Sequence, residues 1–179
     1  MSESPAKELI LVLGGAKSGK SSWALQYAEA HYQSYLFLAT ARSLDDEMDE
    51  RIRLHKSSRG PNWQLVEEQI EISEALRTRC GDVETILIDC LTVWLSNVMF
   101  EKGVESIDAY REGLLTALSA RERNIIVVSN ELGMGIVPEN PIGRKFRDLS
   151  GQLNQNIAAL ADKVVFLTAG LPMVLKGAF

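Results

Sequence analysis

Residues Gly14-Gly15-Ala16-Lys17-Ser18-Gly19-Lys20-Ser21 set a lysine and a hydroxyl directly behind a glycine-rich turn. The spacing G-x-x-x-x-G-K-S is that of a phosphate-binding loop, whose successive backbone N–H groups cradle a polyphosphate. Lys20 is expected to reach the β- and γ-phosphates, and the Ser21 hydroxyl to complete the shell of a Mg²⁺ ion. The setting matches the motif: an apolar run at residues 9–13 precedes it, and a helix is expected from about Gly19. The N-terminus of that helix brings partial positive charge and unpaired donors to the same anion. A glycine-rich turn that binds nothing would require neither the lysine nor the serine. The expected ligand is a nucleoside triphosphate.

A second element of phosphate chemistry is the apolar run Ile86-Leu87-Ile88 ending in Asp89. A carboxylate there stands at the carboxyl edge of a sheet, where it can hold Mg²⁺ directly or through water. Helix capping is the competing role, because a helix is expected from Leu91. Further candidates lie between them. Ser43 reads as an N-cap with Asp46 in the capping-box position, and Asp45, Asp46 and Glu47 suit the first helical turn. Capping therefore explains this acidic cluster without a metal. Beyond it, Arg51, His55 and Arg59 recur every four residues and share a helix face if the helix persists. Flanking guanidiniums disfavour protonation of His55, and a neutral imidazole is what a histidine nucleophile needs. Spacing alone nevertheless favours a solvated basic face carrying an incidental histidine. His31 has only a structural reading, closing a helix near Tyr32.

The elements that must position these groups alternate in type. Strands are expected at residues 9–13, 35–39, 85–89, 124–129 and 163–168, mostly as continuous apolar runs of the kind buried on both faces. Helices are expected at about 19–31, 44–57, 91–101, 106–120 and 142–161. The alternation predicts an α/β fold with a mostly parallel central sheet and helices on both faces. The 179 residues suit one domain over 9–179, behind a flexible polar tail at 1–8. A formal charge of −5 argues against a general nucleic-acid binder. Cys80 and Cys90 lack metal-ligand spacing and suit a reduced, cytoplasmic setting. No secretory signal pattern is present, and no apolar stretch approaches the ~20 residues of a membrane span.

Several blocks occur together in one order. They are the phosphate loop, Ala39-Thr40-Ala41 with Asp45-Asp46-Glu47-Met48, Arg51-Ile52-Arg53-Leu54-His55, and Asp89-Cys90-Leu91-Thr92-Val93-Trp94-Leu95-Ser96-Asn97. Ser129-Asn130-Glu131-Leu132-Gly133-Met134-Gly135-Ile136-Val137-Pro138 follows, then Arg144-Lys145-Phe146-Arg147-Asp148 with Gly151 and Asn154-Gln155. From Leu9 to about Lys176 the chain resembles the bifunctional adenosylcobinamide kinase / adenosylcobinamide-phosphate guanylyltransferases of cobalamin biosynthesis. The resemblance implies a P-loop NTPase of RecA-like architecture and two reactions. Adenosylcobinamide is phosphorylated by ATP or GTP, and GMP then passes from GTP to the product, giving adenosylcobinamide-GDP and pyrophosphate. It also implies a guanylyl-histidine intermediate on His55, reversing the reading from spacing.

Carried over from that family, nucleotide binding falls on residues 14–21, on Thr40, Ala41 and Arg42, on Lys56, Ser57, Ser58 and Arg59, and on Glu67 and Asp89. His55 and Lys20 are the expected catalytic residues, Ser21 and Asp89 the expected metal ligands, and a homotrimer the expected assembly. Lys17 stands where the family often has arginine, losing a bidentate fork. Gly60-Pro61 follows Arg59 where Arg-Pro is expected directly, which shifts the register of Ser57 and Ser58. No N-K-x-D signature accounts for guanine selection. Arg144, Lys145 and Arg147 suit either a corrinoid site or a helix surface and subunit contact. Two other readings compete: a simple small-molecule kinase without a covalent intermediate, and a RecA-like nucleotide-gated binding module.

Overall fold

The computed structural model describes residues 7–42, 60 and 62–179. Within them the order is β1 (Leu9–Gly14), α1 (Lys20–His31), β2 (Tyr35–Ala39), β3 (Trp63–Glu67), α2 (Ile72–Thr78), β4 (Thr85–Asp89) and α3 (Leu91–Lys102). A short 3₁₀ turn (Val104–Ser106) leads into α4 (Ile107–Ser119), β5 (Asn124–Asn130), α5 (Pro141–Leu160), β6 (Lys163–Thr168) and β7 (Leu171–Lys176). The seven strands form one sheet in the order β3-β2-β4-β5-β1-β6-β7. All neighbours are parallel except β6 and β7. The five expected strands and the mostly parallel sheet are borne out.

Continuous apolar runs form the central strands because both faces are covered. Leu9, Leu11 and Leu13 of β1 point to a core shared with α2, α3, α4 and α5, including the fully buried Trp94. Ile10 and Val12 point the other way, to Ala24, Tyr27 and Ala28 of α1. This is the two-residue period of a strand sandwiched between helices. Among the described residues, no helix is long and apolar enough to cross a membrane.

Three elements had no counterpart in the sequence reading: β3, α2 and β7. In β3, Trp-Gln-Leu-Val-Glu is an edge strand with Gln64, Leu65 and Glu67 exposed, so it lacks the apolar run that marks its neighbours. β7 is exposed throughout and contains Pro172, which is tolerated on an edge strand and would break a central one. Ala169 and Gly170, both at positive φ, connect β6 to β7 in the manner of a two-residue hairpin turn. The expected helix at 44–57 lies outside the described residues, as do residues 1–6 of the expected tail. Lys7 and Glu8 are held to the sheet: the Lys7 carbonyl accepts from Arg121 Nε at 2.9 Å, and Glu8 pairs with Lys163 at 3.0 Å.

α2 is short and has no side-chain cap at Glu71, so Glu68 in the preceding turn supplies the missing acceptors. One Glu68 carboxylate oxygen accepts from the N–H groups of Ile70 and Glu71 at 3.0 and 2.9 Å, and the other pairs with Arg79 at 2.7 Å. Desolvation pushes this carboxyl up, but the two backbone donors and Arg79 prevail and hold it below its ordinary range. A depressed folded-state value contributes stability above the unfolded value, lost as pH falls through the folded one. Glu68→Gln should therefore cost about 1–2 kcal/mol in urea denaturation at pH 7. The gap to wild type should narrow as pH drops below about 4.3, the ordinary glutamate value.

Candidate active site

The carboxyl ends of β1, β4 and β5 converge on the phosphate loop because the register aligns them. Gly14 is level with Asn130 of β5, and Asp89 with Val128. The loop is anchored at both ends: the Gly14 carbonyl accepts from Glu131 N–H at 3.0 Å, and the Ser18 carbonyl from Gly170 N–H at 2.9 Å. Lys17 and Gly19 have φ of 57° and 97°, the left-handed backbone from which N–H nests are built. Glycine is required at Gly14, where a Cβ would strike the Leu167 carbonyl and approach Ser18 Oγ to 2.6 Å. At Gly19 a side chain would instead crowd the Gly170 Cα, 3.2 Å away.

α1 starts at this loop with Gly19 as its N-cap, no capping side chain and no acid in its first turn. By contrast, the Asn140 side chain caps α5 by accepting from Gly143 N–H at 2.6 Å. The first turn of α1 thus keeps its donors and its partial positive charge for an anion. Lys20 is buried, and its Nζ donates to the Gly15 carbonyl at 2.5 Å and contacts Ser18 Oγ at 3.4 Å. Burial pulls this ammonium below its ordinary value, while negative charge at Cys90 and Asp89 opposes the shift. Desolvation, aided by Asp89, pushes the Cys90 thiol up to about 12, so Asp89 is the relevant counter-charge near neutrality.

Ser21 in the first turn of α1 and Asp89 at the end of β4 each carry a hard oxygen donor of the kind Mg²⁺ takes. Among the described residues no three His, Cys, Asp or Glu side chains form a metal cage. Mg²⁺ needs none, since it takes one or two protein oxygens plus phosphates and water.

Of the remaining expected contacts, Thr40 is fully buried and its hydroxyl is committed. It donates to the Cys90 carbonyl and accepts from Cys90 N–H, both at 2.8 Å, pinning β2 to the turn after β4. The Thr40 carbonyl accepts from Asn97 Nδ2 at 2.9 Å. Arg42 pairs with Glu101, ten residues along α3 from Leu91 and so about 15 Å down that helix. Its guanidinium is therefore directed away from the loop. Glu67 ends β3, four strand steps from β1, or about 19 Å at normal sheet spacing. His55, Lys56, Ser57, Ser58 and Arg59 lie outside the described residues.

The sequence reading had not assigned roles to several residues that hold this site. The Asn130 N–H donates to Thr92 Oγ1 at 2.9 Å, its carbonyl accepts from Asn154 Nδ2 at 3.0 Å, and Glu131 holds Gly14. The hairpin tip at Gly170 supports the loop from the other side. Ala-Gly between two apolar runs was the sequence signal for that hairpin.

A family model of cobinamide kinase / cobinamide phosphate guanyltransferase matches residues 10–175, nearly the whole chain. The chain belongs to this family. The "bifunctional adenosylcobalamin biosynthesis protein CobP" of Pseudomonas aeruginosa is 40% identical over 167 residues, covering 93% of this chain and 96% of that one. The corresponding CobU protein of Escherichia coli is 34% identical, covering 94% and 99%. Solved structures show the fold of this family member to be that of P-loop ATPases. A type III secretion ATPase aligns with a TM-score of 0.57 at 13% identity, over 90% of this chain and 51% of that one. The RadB recombinase aligns with a TM-score of 0.51 at 13% identity, over 89% and 73%. The expected RecA-like P-loop architecture is thus borne out.

Proposed function

We propose that this protein phosphorylates adenosylcobinamide with ATP or GTP and then transfers GMP from GTP to the phosphate it has made. The coincidence of the family match over residues 10–175 with an intact, anchored phosphate loop carries this reading. In the first step, the loop N–H groups and Lys20 position the γ-phosphate for attack by the substrate hydroxyl. Positioning and charge neutralisation supply most of the catalysis in such transfers. Ser21 and Asp89 would hold a Mg²⁺ ion, which would supply neutralisation of the triphosphate charge.

In the second step an imidazole nitrogen of His55 attacks the α-phosphorus. An N–P bond forms, the bond from that phosphorus to the bridging oxygen breaks, and pyrophosphate leaves carrying the electron pair. A phosphate oxygen of adenosylcobinamide phosphate then attacks the same phosphorus and displaces the imidazole. Two in-line inversions give net retention at phosphorus. The ~19 Å between β1 and β3 suits Glu67 to the far end of an extended nucleotide rather than to its phosphates.

Incubation with α-³²P-GTP tests this reading. Label should remain on the denatured protein, labile in acid and stable in base, and move to product when adenosylcobinamide phosphate is added. A protein that phosphorylates cobinamide without ever taking up label is a simple kinase.

A further inference from the structure

We propose that the cavity beside Gly151 of α5 is the acceptor-substrate pocket, receiving the amide-bearing edge and alcohol arm of a cobinamide-type macrocycle. This inference rests on the functional reading above. The cavity has a volume of about 490 Å³, and its walls include Leu13, Glu131, Arg147, Gly151, Asn154 and Gln155. It shares backbone with the phosphate loop: Leu13 directly precedes Gly14, and Glu131 N–H donates to the Gly14 carbonyl. A ligand seated here lies beside the triphosphate site on the face of the sheet opposite α1.

Gly151 is the feature that packing does not explain. It sits in the interior of a 20-residue helix, where glycine is less favourable than alanine. A Cβ at this position would meet nothing within 4 Å, so no neighbour requires its absence. At Gly143 of the same helix, a Cβ would come within 2.9 Å of Asn140 Oδ1. In a close-packed protein, a glycine facing open volume preserves that volume.

The side chains one turn away supply hydrogen-bonding chemistry. Asn154 is 5% exposed; its Nδ2 is used by the Asn130 carbonyl, and its buried Oδ1 has no partner among the described residues. A buried acceptor left this way is costly, and a ligand amide N–H that reaches it satisfies it. Arg147 pairs with Asp148 only at 3.8 Å and keeps donors for a carbonyl or phosphate oxygen. Beyond Gly133 at the rim, Met134, Ile136 and Val137 are 80%, 97% and 55% exposed, a contiguous apolar apron. The cavity is too small to enclose a whole corrin ring. Its polar wall suits the amide edge and reacting arm, and the apron suits the apolar face of the ring.

Gly151→Met fills the cavity, and Gly151→Ala serves as a helix-favouring control for folding. Cobinamide binding is read by equilibrium dialysis and visible absorbance, GTP binding in parallel, and assembly by sedimentation velocity. The expected result for Gly151→Met is a cobinamide Kd raised about tenfold or more with GTP Kd within about twofold and an unlowered melting temperature. An unchanged cobinamide Kd in the folded variant overturns the pocket and leaves the functional reading intact. Wild-type protein that neither binds nor phosphorylates cobinamide overturns that reading, and the pocket with it. Loss of cobinamide binding only in step with a changed sedimentation coefficient assigns the cavity to a second copy and overturns the proposal.

Discussion

Lys20→Ala should depress both phosphoryl transfer to cobinamide and guanylyl transfer from GTP, each by about 10²–10³-fold in single-turnover rate. Lys20 is the one charged side chain among the buried described residues, and its donors converge on the loop carbonyl of Gly15 and the Ser18 hydroxyl. A charge held in so desolvated a place acts on phosphate oxygens with little screening. In the proposed mechanism both reactions place a triphosphate on this loop, so both should depend on it. The same burial makes the lysine a burden on the nucleotide-free fold, because desolvation disfavours its ammonium. The thermal midpoint of Lys20→Ala without nucleotide should accordingly match or exceed that of wild type, while the upward shift caused by GTP disappears. Lys20→Arg should not rescue, since the planar fork does not fit the volume of a point charge. Loss of the kinase step alone would mean that guanylyl transfer uses a different phosphate site.

The sheet was legible because its central strands are buried on both faces. Residues 9–13, 35–39 and 86–88 carry apolar side chains in succession, and no helix of that length competes. The phosphate loop was legible for a stricter reason: two of its three glycines answer to backbone collisions. A side chain at Gly14 meets the Leu167 carbonyl, and one at Gly19 meets Gly170. The supporting contacts were not legible, since Gly170 and Glu131 hold the loop through backbone N–H groups that every residue except proline carries. Thr40 and Arg42 likewise have side-chain partners that sequence does not announce. Both sit next to β2, yet the Thr40 hydroxyl is spent on Cys90 and Arg42 on Glu101. Edge strand β3 escaped because its exposed polar positions interrupt the apolar run that identifies a strand, and β7 because Pro172 interrupts its run. Pocket geometry is non-local in the same way: Gly151 is an ordinary helical glycine until the space beside it is measured.

His55→Ala should separate the two reactions. Guanylyl transfer should fall by about 10⁴-fold or more, the scale on which removal of a covalent nucleophile acts. Cobinamide phosphorylation should stay within a few-fold of wild type, because the γ-phosphate, Lys20 and the loop N–H groups suffice for that step. His55 closes the Arg51-Ile52-Arg53-Leu54-His55 segment, whose family resemblance implies the nucleophile, and it lies outside the described residues. One phosphate loop cannot present the α-phosphorus to an imidazole and the γ-phosphorus to an alcohol in a single pose. The proposed mechanism therefore predicts a shift of nucleotide or histidine between steps, and deleting the imidazole should leave the kinase pose intact. Adenosylcobinamide phosphate should accumulate in the variant when both substrates are supplied, with no acid-labile guanylyl-protein formed. Equal loss of both activities in a folded His55→Ala protein would return the histidine to a phosphate-holding role. Retention of guanylyl transfer would remove the covalent intermediate altogether, leaving direct attack by the acceptor phosphate and therefore inversion at the α-phosphorus. Stereochemical analysis with a chiral α-thio-GTP distinguishes the two routes independently of the variant, since the double displacement through His55 requires retention.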